Sequence, residues 1–305
     1  MASPTGTSDA PFGRMLTAMV TPFTSDGAVD YEGVQRLATY LVDEQSNDGL
    51  IVSGTTGESP TTTDEEKDRI LRAVVEAVGD RASVVAGAGT NDTHHSVELA
   101  RAAERAGAHG LLAVTPYYNK PPQEGLFRHF TAVADATELP VMLYDIPGRS
   151  GVPIHTETLV RLARHPRIVA VKDAKGDLFA GSHVIATTDL VFYSGDDLLN
   201  LPWLSVGAAG VVSVIGHVAG AELASMIDLY RSGDVAGALA VHRQLLPVAT
   251  GIMTRTQGAI MVKAALKLAG LDAGFVRLPL VDATQEQVVV LREDLIAGGL
   301  KLADS

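Results

Sequence analysis

The strongest constraint on the fold of this 305-residue chain is an alternation, repeated eight times, of short apolar runs with longer amphipathic stretches. Each apolar run is rich in Val, Leu and Ile and nearly unbroken, as strands buried on both faces of a parallel sheet are. The runs predict eight strands, at residues 15–20, 50–53, 83–87, 110–115, 140–145, 168–172, 190–194 and 210–215.

The amphipathic stretches between these strands carry recognisable helix starts. Thr63 and Glu66 have the spacing of a capping box, and Asp30 stands directly before another amphipathic face. Consecutive right-handed crossovers of this length either close the sheet or leave it open and doubly wound. An open sheet needs a glycine-rich dinucleotide fingerprint after its first strand, and residues 20–23 (VTPF) carry none. We therefore predict a (β/α)8 TIM barrel of the α/β class.

The pattern divides the chain into three segments. Residues 1–13 are mostly small and polar and lack the basic and apolar regions of a secretory signal, so we predict a mobile N-terminal segment. Residues 14–232 hold the eight units and are predicted to form the barrel, where catalytic residues are expected at the strand ends. Residues 233–305 read as helices only, at 235–248, 257–268 and 284–296, and predict a C-terminal helical region.

The composition excludes several classes of protein. With 24 Lys and Arg against 36 Asp and Glu, the formal net charge is −12, which disfavours the positive field that nonspecific nucleic-acid binding needs. The sequence has no Cys, so it forms no disulfide, thiolate metal site or thiol nucleophile. It also lacks an apolar run of about 18 residues, the length of a membrane-spanning helix. We predict a cytoplasmic protein without a nucleic-acid or membrane partner.

One lysine stands out by its position. The reactive side chains of a (β/α)8 barrel lie at the carboxyl ends of its strands. Of the seven lysines, only Lys172 ends a predicted strand. Such a lysine can simply be solvated at the barrel rim. The apolar run before it instead favours a neutral amine, the form that attacks a carbonyl and forms a Schiff base.

Other candidate residues have both a functional and a structural interpretation. Tyr144 ends the neighbouring strand, where a phenol can shuttle the protons of imine formation, but it equally suits a half-buried aromatic. Arg149 follows a Pro-Gly turn and suits a substrate carboxylate, although an isolated loop Arg is usually solvated. The loop GTTGES (54–59) offers hydroxyls and approachable amides, or is only a tight turn. His94 and His95 lack a third ligand at metal spacing, so we predict no metal site.

These motifs occur together along nearly the whole chain. They are LTAMVTPF from Leu16, GTTGESPTTTDEEK, VVAGAGTNDT, VTPYYNKPPQEG, LYDIPGRSG, IVAVKDAKGD, YSGDD, GAAGVVSVIGHVAG and the RLPL of the tail. In this combination the sequence closely resembles the dihydrodipicolinate synthase family of the N-acetylneuraminate lyase superfamily, especially its actinobacterial members. The resemblance implies a class I aldolase-like lyase without a cofactor. It would condense pyruvate with L-aspartate 4-semialdehyde to 4-hydroxy-tetrahydrodipicolinate in lysine and diaminopimelate biosynthesis.

The resemblance also implies roles for single residues. Lys172 would form the imine with pyruvate, and Tyr144 would donate and accept the protons. The other implied site residues are Thr55 and Tyr118 in the proton relay, Thr56 on the pyruvate carboxylate with Val212 and Gly195 at the site, and Arg149 on the aldehyde's carboxylate. Tyr118 would reach into a neighbouring subunit's site, which implies a homotetramer built from tight dimers.

Some members of this family carry an inhibitory lysine site in the cleft between two subunits, built from Ser, two His, Asn, Glu and Tyr. The matching positions here are Ser59, Asp64, Lys67, Asn91, His95 and Tyr117. A cationic Lys67, and the loss of a carboxylate at His95, would repel a second ammonium group and leave its charge unpaired. We therefore predict weak or absent feedback by lysine.

Two other functions stay open at the level of sequence. An N-acetylneuraminate lyase or a 2-keto-3-deoxy sugar acid aldolase of the same superfamily would share Lys172 and Tyr144. Against these, Arg149 suits a short aldehyde that carries its own carboxylate. A catalytically silent relative that binds pyruvate is disfavoured, because every matched catalytic position holds the required residue.

Overall fold

The computed structural model describes residues 9–303, which fold around a closed barrel of eight parallel strands. Each strand pairs with the next along the chain, and β8 closes the barrel by pairing with β1, where Val212 lies opposite Leu16. The strands are β1 (Met15–Ala18), β2 (Gly49–Val52), β3 (Ser83–Gly87), β4 (Gly110–Val114), β5 (Val141–Asp145), β6 (Ile168–Asp173), β7 (Val191–Ser194) and β8 (Gly210–Ser213). The predicted (β/α)8 barrel is confirmed.

Helices follow the strands and form the outer layer of the molecule. Those of the barrel are α1 (Tyr31–Asp43), α2 (Asp64–Val78), α3 (Thr93–Arg105), α4 (Gln123–Asp135), α5 (Pro147–Ser150), α6 (Thr156–Leu162), α7 (Leu178–Thr187), α8 (Asn200–Ser205) and α9 (Gly216–Arg231). The predicted capping box of α2 is present. The Thr63 hydroxyl accepts the Glu66 amide at 3.2 Å, and the Glu66 carboxylate accepts the Thr63 amide at 2.9 Å.

Two strands end two residues earlier than predicted, and for β8 the structure shows why. β1 stops at Ala18 rather than residue 20, and β8 stops at Ser213 rather than residue 215. The backbone amides of Val214 and Ile215 donate to Oδ2 of Asp197, at 2.8 and 3.0 Å. These amides therefore bond to a side chain instead of extending the strand ladder.

The core has two layers, as expected for this fold. Side chains that point inward fill the barrel, among them Leu16, Ile51, Val85, Leu112 and Met142. Outward-pointing side chains of the same strands pack against the apolar faces of the helices. This arrangement leaves the strand ends free to carry polar chemistry, because the rest of each strand is buried on both faces.

The predicted mobile segment, residues 1–13, lies partly outside the described residues. Within the described part, Phe12 is only 1% exposed and belongs to the apolar cluster inside the barrel. A Cβ at Gly110 would overlap the Phe12 ring, so this glycine makes room for it. The packed fold therefore begins before residue 14. Burial of an aromatic side chain of this size inside the barrel stabilises the folded state.

Three helices form the region after the barrel, near their predicted positions. They are α10 (Val235–Met253), α11 (Gly258–Leu268) and α12 (Gln285–Ala297). A second capping box, between Thr284 and Gln287, begins α12. α10 packs against α9, and α11 and α12 pack against α10. Over residues 9–303, no helix has the length and apolar character needed to cross a membrane.

Candidate active site

A cavity of about 230 Å³ opens at the carboxyl ends of the strands. Its walls include Ser53 and Thr55 from the segment after β2, Tyr117 after β4, and Tyr144 and Arg149 from β5 and the segment that follows it. Three predicted site residues therefore line one cavity. A partly apolar cavity with a few convergent polar groups at this end of a (β/α)8 barrel is the expected place for an active site.

Lys172 lies on β6 with its side chain inside the barrel. The residue is 4% exposed, and its Nζ lies 4.3 Å from the centroid of the Tyr144 ring. Burial lowers the pKa of Lys172 to about 8; the charge of Asp197 opposes this shift, and the charge of Arg149 adds to it. The neutral, nucleophilic amine is therefore accessible near neutral pH, which is unusual for a lysine.

Tyr144 stands directly beside this lysine, because residues 144 and 172 are paired across β5 and β6. Burial raises the pKa of Tyr144 to about 12, while the positive charge of Arg149 and a hydrogen bond with the Thr55 side chain act in the opposite direction. The phenol is therefore protonated at neutral pH and able to donate its proton. The structure thus brings Lys172, Tyr144 and Thr55 together as predicted.

The turn after β2 holds the two threonines in a strained backbone. Ser53 and Glu58 both adopt left-handed conformations, with φ of 55° and 56°. Such conformations are uncommon for residues with a Cβ and concentrate at functional sites. The Glu58 amide donates to the carbonyl oxygen of Thr55 at 3.1 Å, which closes the turn. Thr56 is buried within it.

Gly195 gives Lys172 the space that it occupies. A Cβ at this position would lie 2.9 Å from Cγ of Lys172 and 2.9 Å from the carbonyl oxygen of Asp173. Only a glycine leaves the lysine side chain undisturbed there. Val212, another predicted site residue, lies on β8 and is buried in the apolar cluster inside the barrel.

Arg149 is presented by the short helix α5 and is exposed at the cavity wall. The hydroxyl of Ser150 braces this helix by donating to the carbonyl oxygens of Ile146 at 3.0 Å and Val152 at 2.9 Å. The guanidinium is close enough to influence the pKa values of both Tyr144 and Lys172. A positive charge at the mouth of the cavity suits an incoming carboxylate.

Tyr118 is the one predicted relay residue that this chain does not bring to its own cavity. Its side chain is 89% exposed, and its backbone is left-handed with φ of 74°. The neighbouring Tyr117 lines the cavity instead. A bulky residue in this conformation costs of order 1–3 kcal/mol. The strained segment therefore projects an aromatic side chain away from the chain that carries it.

Two buried carboxylates near the site are missed by the sequence analysis. Asp197 accepts the amides at the start of the turn after β8, and its charge acts on Lys172. Asp145 lies 3.3 Å from Nζ of Lys175, and burial raises its pKa to about 6. The second Asp of YSGDD is a sequence signal for Asp197, since a charged pair directly after a buried strand needs partners. Nothing in the sequence pairs Asp145 with Lys175.

Several side chains at the positions that match the family's inhibitory lysine site contact one another. Nζ of Lys67 donates to the carbonyl oxygen of Thr62 at 2.6 Å and lies 3.7 Å from a carboxylate oxygen of Asp64. The other oxygen of Asp64 lies 2.9 Å from Nε2 of His95.

Among residues 9–303, no group of three or more His, Asp or Glu side chains is placed to hold a metal ion.

The fold and the site together define a class of protein. It is a (β/α)8-barrel enzyme with a buried lysine of lowered pKa, a protonated phenol against it and a cationic side chain at the mouth of the cavity. Lysines in such surroundings react with carbonyl compounds to form imines.

Comparison with known proteins narrows this class. The model of the Dihydrodipicolinate synthetase family matches residues 11–297. A 4-hydroxy-tetrahydrodipicolinate synthase from Acidothermus cellulolyticus is 69% identical over 290 residues, which cover 95% of this chain and 94% of that protein. The 4-hydroxy-tetrahydrodipicolinate synthase 2 of Streptomyces coelicolor is 67% identical over 300 residues, covering 98% and 100%. The chain therefore belongs to the dihydrodipicolinate synthetase family.

Solved structures agree with this assignment. The crystal structure of dihydrodipicolinate synthase from Cyanidioschyzon merolae with lysine bound matches with a TM-score of 0.92 at 42% identity. The match covers 95% of this chain and 99% of the other. Both relatives above come from actinobacteria, the group whose members the sequence resembles.

Proposed function

We propose that this chain is a 4-hydroxy-tetrahydrodipicolinate synthase, a lyase that joins pyruvate to L-aspartate 4-semialdehyde through a Schiff base on Lys172. The observation that carries the proposal is the contact of Lys172 with the Tyr144 ring, 4.3 Å away, at a lysine whose pKa is lowered to about 8. A neutral amine beside a protonated phenol is the pair that imine formation from a ketone needs. The activity named in the relatives supports the choice of substrates.

The first half of the reaction loads pyruvate onto the enzyme. The neutral Nζ of Lys172 attacks the ketone carbon and loses a proton, while the ketone oxygen gains one from Tyr144, giving a carbinolamine. A second protonation releases this oxygen as water and leaves a protonated imine. Loss of a proton from the methyl group then gives the enamine. Thr55, which lines the same cavity as Tyr144, can return protons to the phenol between these steps.

The second half forms the new carbon–carbon bond. The enamine carbon attacks the aldehyde carbon, the aldehyde oxygen takes up a proton, and the protonated imine is restored. The substrate's own amine then attacks the imine carbon and displaces Nζ of Lys172, which closes the ring and releases the product. No outside oxidant or reductant is needed, because the sequence consists of additions, eliminations and proton transfers.

Binding of the two substrates uses opposite ends of the cavity. The hydroxyl and amide of Thr56 would hold the carboxylate of pyruvate, with Val212 and Gly195 forming the walls around the imine. Arg149 would hold the carboxylate of the aldehyde at the mouth, where its guanidinium can make two parallel hydrogen bonds. Holding both substrates in this way converts the condensation into an intramolecular step.

The decisive experiment is borohydride reduction in the presence of pyruvate alone, read by intact mass and peptide mapping. We expect one reduced adduct, located at Lys172. Lys172→Met should give none, while Lys267→Met, a change at an exposed lysine of α11, should keep the adduct. An adduct elsewhere, or none in the wild-type protein, would overturn the assignment and favour a silent pyruvate-binding relative.

The identity of the aldehyde needs a separate measurement. The adduct-forming enzyme is offered L-aspartate 4-semialdehyde, N-acetylmannosamine or glyceraldehyde, and the consumption of pyruvate is followed. We expect turnover with the semialdehyde only, since Arg149 suits a short substrate with its own carboxylate. Turnover with a sugar aldehyde at a comparable kcat/KM would assign the chain to the sugar-acid aldolases instead.

We also propose a homotetramer made of tight dimers, in which Tyr118 enters the site of a neighbouring subunit. The side chain's 89% exposure and the left-handed backbone that projects it support a contact with another chain. Light scattering after size-exclusion chromatography measures the mass of the assembly. A cytoplasmic location stays the prediction made from the sequence.

A further inference from the structure

The C-terminal helical region reaches the turn that carries the catalytic threonines. Nζ of Lys263, on α11, lies 2.8 Å from Oε1 of Glu58, and the two side chains are 4% and 1% exposed. Nζ also donates to the carbonyl oxygen of Phe275 and lies 4.7 Å from the centroid of the Phe23 ring. A carboxylate this deeply buried is tolerated only when it is paired and hydrogen-bonded.

The second oxygen of Glu58 is also held from the C-terminal region. Oε2 accepts the backbone amide of Arg277 at 2.9 Å. The guanidinium of Arg277 forms two hydrogen bonds to the Glu66 carboxylate, at 2.8 and 2.6 Å, and another to the carbonyl oxygen of Thr61 at 2.7 Å. The segment from the turn to the start of α2 is therefore fixed at three places by residues more than 200 positions further along the chain.

Lys263 and the amide of Arg277 both bind Glu58, a residue that has no part in the chemistry proposed above. Glu58 holds a left-handed backbone with φ of 56°, without the freedom of a glycine. Its amide donates to the carbonyl oxygen of Thr55 at 3.1 Å. The Thr55 side chain lines the same cavity as Tyr144 and is close enough to lower the pKa of its phenol. A continuous series of contacts thus runs from Lys263 through Glu58 to the catalytic phenol.

We propose that Glu58 is a positioning residue, held by Lys263 and the Arg277 amide, which fixes Thr55 beside Tyr144 and so connects these two residues of the C-terminal region to the site. This inference rests on the proposed function, because it assigns a purpose to Thr55 and Tyr144. It goes further by giving a role to a buried ion pair that neither substrate reaches. Misplacing a catalytic hydroxyl by about 1 Å can cost up to about 100-fold in rate.

A double-mutant cycle between Glu58 and Thr55 tests the proposal. Glu58→Gln keeps the shape of the side chain and an acceptor for the Arg277 amide, but removes the charge that holds Lys263. We expect kcat to fall between about 10- and 100-fold, with little change in KM for pyruvate. In a Thr55→Val background, the same substitution should cost less than about threefold more, because the hydroxyl it positions is already gone.

A matched control separates positioning from loss of stability. Arg255, two residues after the end of α10, and Asp294 of α12 form an ion pair of 2.6 Å, also in the C-terminal region but without contact to the turn. Arg255→Met should lower Tm and leave kcat unchanged. Comparable losses of kcat and Tm in Arg255→Met and Glu58→Gln would reduce the Glu58 pair to an ordinary structural contact and overturn the proposal.

A second variant covers the case in which Glu58→Gln does not fold. The double substitution Glu58→Gln/Lys263→Met removes both buried charges at once, which often restores stability. We expect it to recover Tm but not kcat. Recovery of kcat together with Tm, or full additivity with Thr55→Val, would contradict the positioning role.

The proposed function can fail separately from this inference. Borohydride trapping of pyruvate is measured on the wild-type protein alongside the cycle. If the wild-type protein forms no adduct at Lys172, the assignment of the site is wrong. If it forms the adduct while the cycle is additive, only the role of Glu58 is wrong.

Discussion

At the scale of single residues, Lys172 and Lys263 show how neighbours decide what a buried lysine does. Burial lowers the pKa of both. Lys263 lies 2.8 Å from Glu58, whose charge opposes the shift, so its ammonium form is stabilised as part of an ion pair. Lys172 packs against an aromatic ring and feels the positive charge of Arg149, so its neutral form is favoured. The same side chain is therefore held in an ion pair in one place and favoured in its neutral form in the other.

Substitution of Arg149 should change both the pH dependence and the second substrate. The charge of Arg149 lowers the pKa of Lys172, so Arg149→Met should raise it, and the neutral amine should appear only at higher pH. The rate of borohydride-trappable adduct formation, which should rise through about pH 8 in the wild-type protein, should therefore shift to more alkaline pH. KM for the semialdehyde should rise about 10- to 100-fold through the lost charge-assisted hydrogen bonds.

Arg149→Lys is the control for this prediction. It keeps the charge and should preserve the pH profile, but it cannot bind a carboxylate in two-pronged fashion, so the semialdehyde should still bind weakly. A pH profile that moves equally in both variants would mean that the charge is not what lowers the pKa of Lys172.

The sequence predicts the reactive pair because both residues lie at the carboxyl ends of strands, one position before the last residue of β5 and of β6. Lys172 and Tyr144 are each the end of an apolar run, and neighbouring parallel strands must place their ends side by side. The sequence cannot find the partner of Glu58, which lies 205 positions away on a helix whose packing decides the contact. Spacing rules describe neighbours within one element or between consecutive ones, and this pair is neither.

At the scale of elements, the strands carry Lys172 and Tyr144, and the turns after the strands carry the residues around them. The alternation of apolar and amphipathic segments predicts the order of all eight strands, since it reflects burial alone. Where β8 ends depends on the Asp197 carboxylate, 17 positions from the amide of Val214 that it accepts. Such a contact exists only after the barrel has closed. The fold is therefore more predictable from sequence than the bounds of its elements.

Gly195, in the turn after β7, offers a test at this scale. A methyl group from Gly195→Ala would lie 2.9 Å from Cγ of Lys172 and force that side chain to move. We expect adduct formation with pyruvate to slow about 10- to 100-fold and the free energy of unfolding to fall by about 1–3 kcal/mol. Quenched-flow trapping and denaturant unfolding measure the two effects.

A glycine on a helix serves as the matched control. At Gly125, on α4, an added Cβ would meet only ordinary contacts of 3.4 Å or more. Gly125→Ala should leave adduct formation unchanged and stabilise the protein by up to about 1 kcal/mol. If Gly195→Ala forms the adduct as fast as the wild-type protein does, the added methyl group does not displace Lys172 and the prediction is wrong.

At the scale of the whole molecule, the barrel alone does not account for the site. The C-terminal region fixes the turn after β2, and Tyr118, the most exposed large hydrophobic residue among residues 9–303, does not line its own chain's cavity. The first contribution comes from within the chain, and the second, as proposed above, would come from a second copy. The resemblance in sequence implies the role of Tyr118, while the geometry of a single chain gives only the strained backbone that projects it.

Mixed assemblies test whether Tyr118 acts between subunits. Tyr118→Ala and Lys172→Met should each be nearly inactive alone. In a hybrid dimer, one of the two sites combines Lys172 of one subunit with Tyr118 of the other. Random pairing makes about half of the dimers hybrids, so refolding the two variants together should restore activity at about one site in four. If Tyr118 acts within its own chain, the mixture should stay as inactive as its parts.

We predict that free lysine inhibits this protein weakly or not at all. Two basic side chains, Lys67 and His95, share the Asp64 carboxylate, at 3.7 and 2.9 Å, so this carboxylate is already engaged when a free lysine approaches. A second ammonium group would meet the positive charge of Lys67 and find no free carboxylate at position 95. We expect steady-state activity at neutral pH to be unaffected by submillimolar lysine. Lys67→His/His95→Glu, which removes the cation and adds a carboxylate, should gain measurable inhibition, whereas submillimolar inhibition of the wild-type protein would show that the cleft accepts a cation despite Lys67.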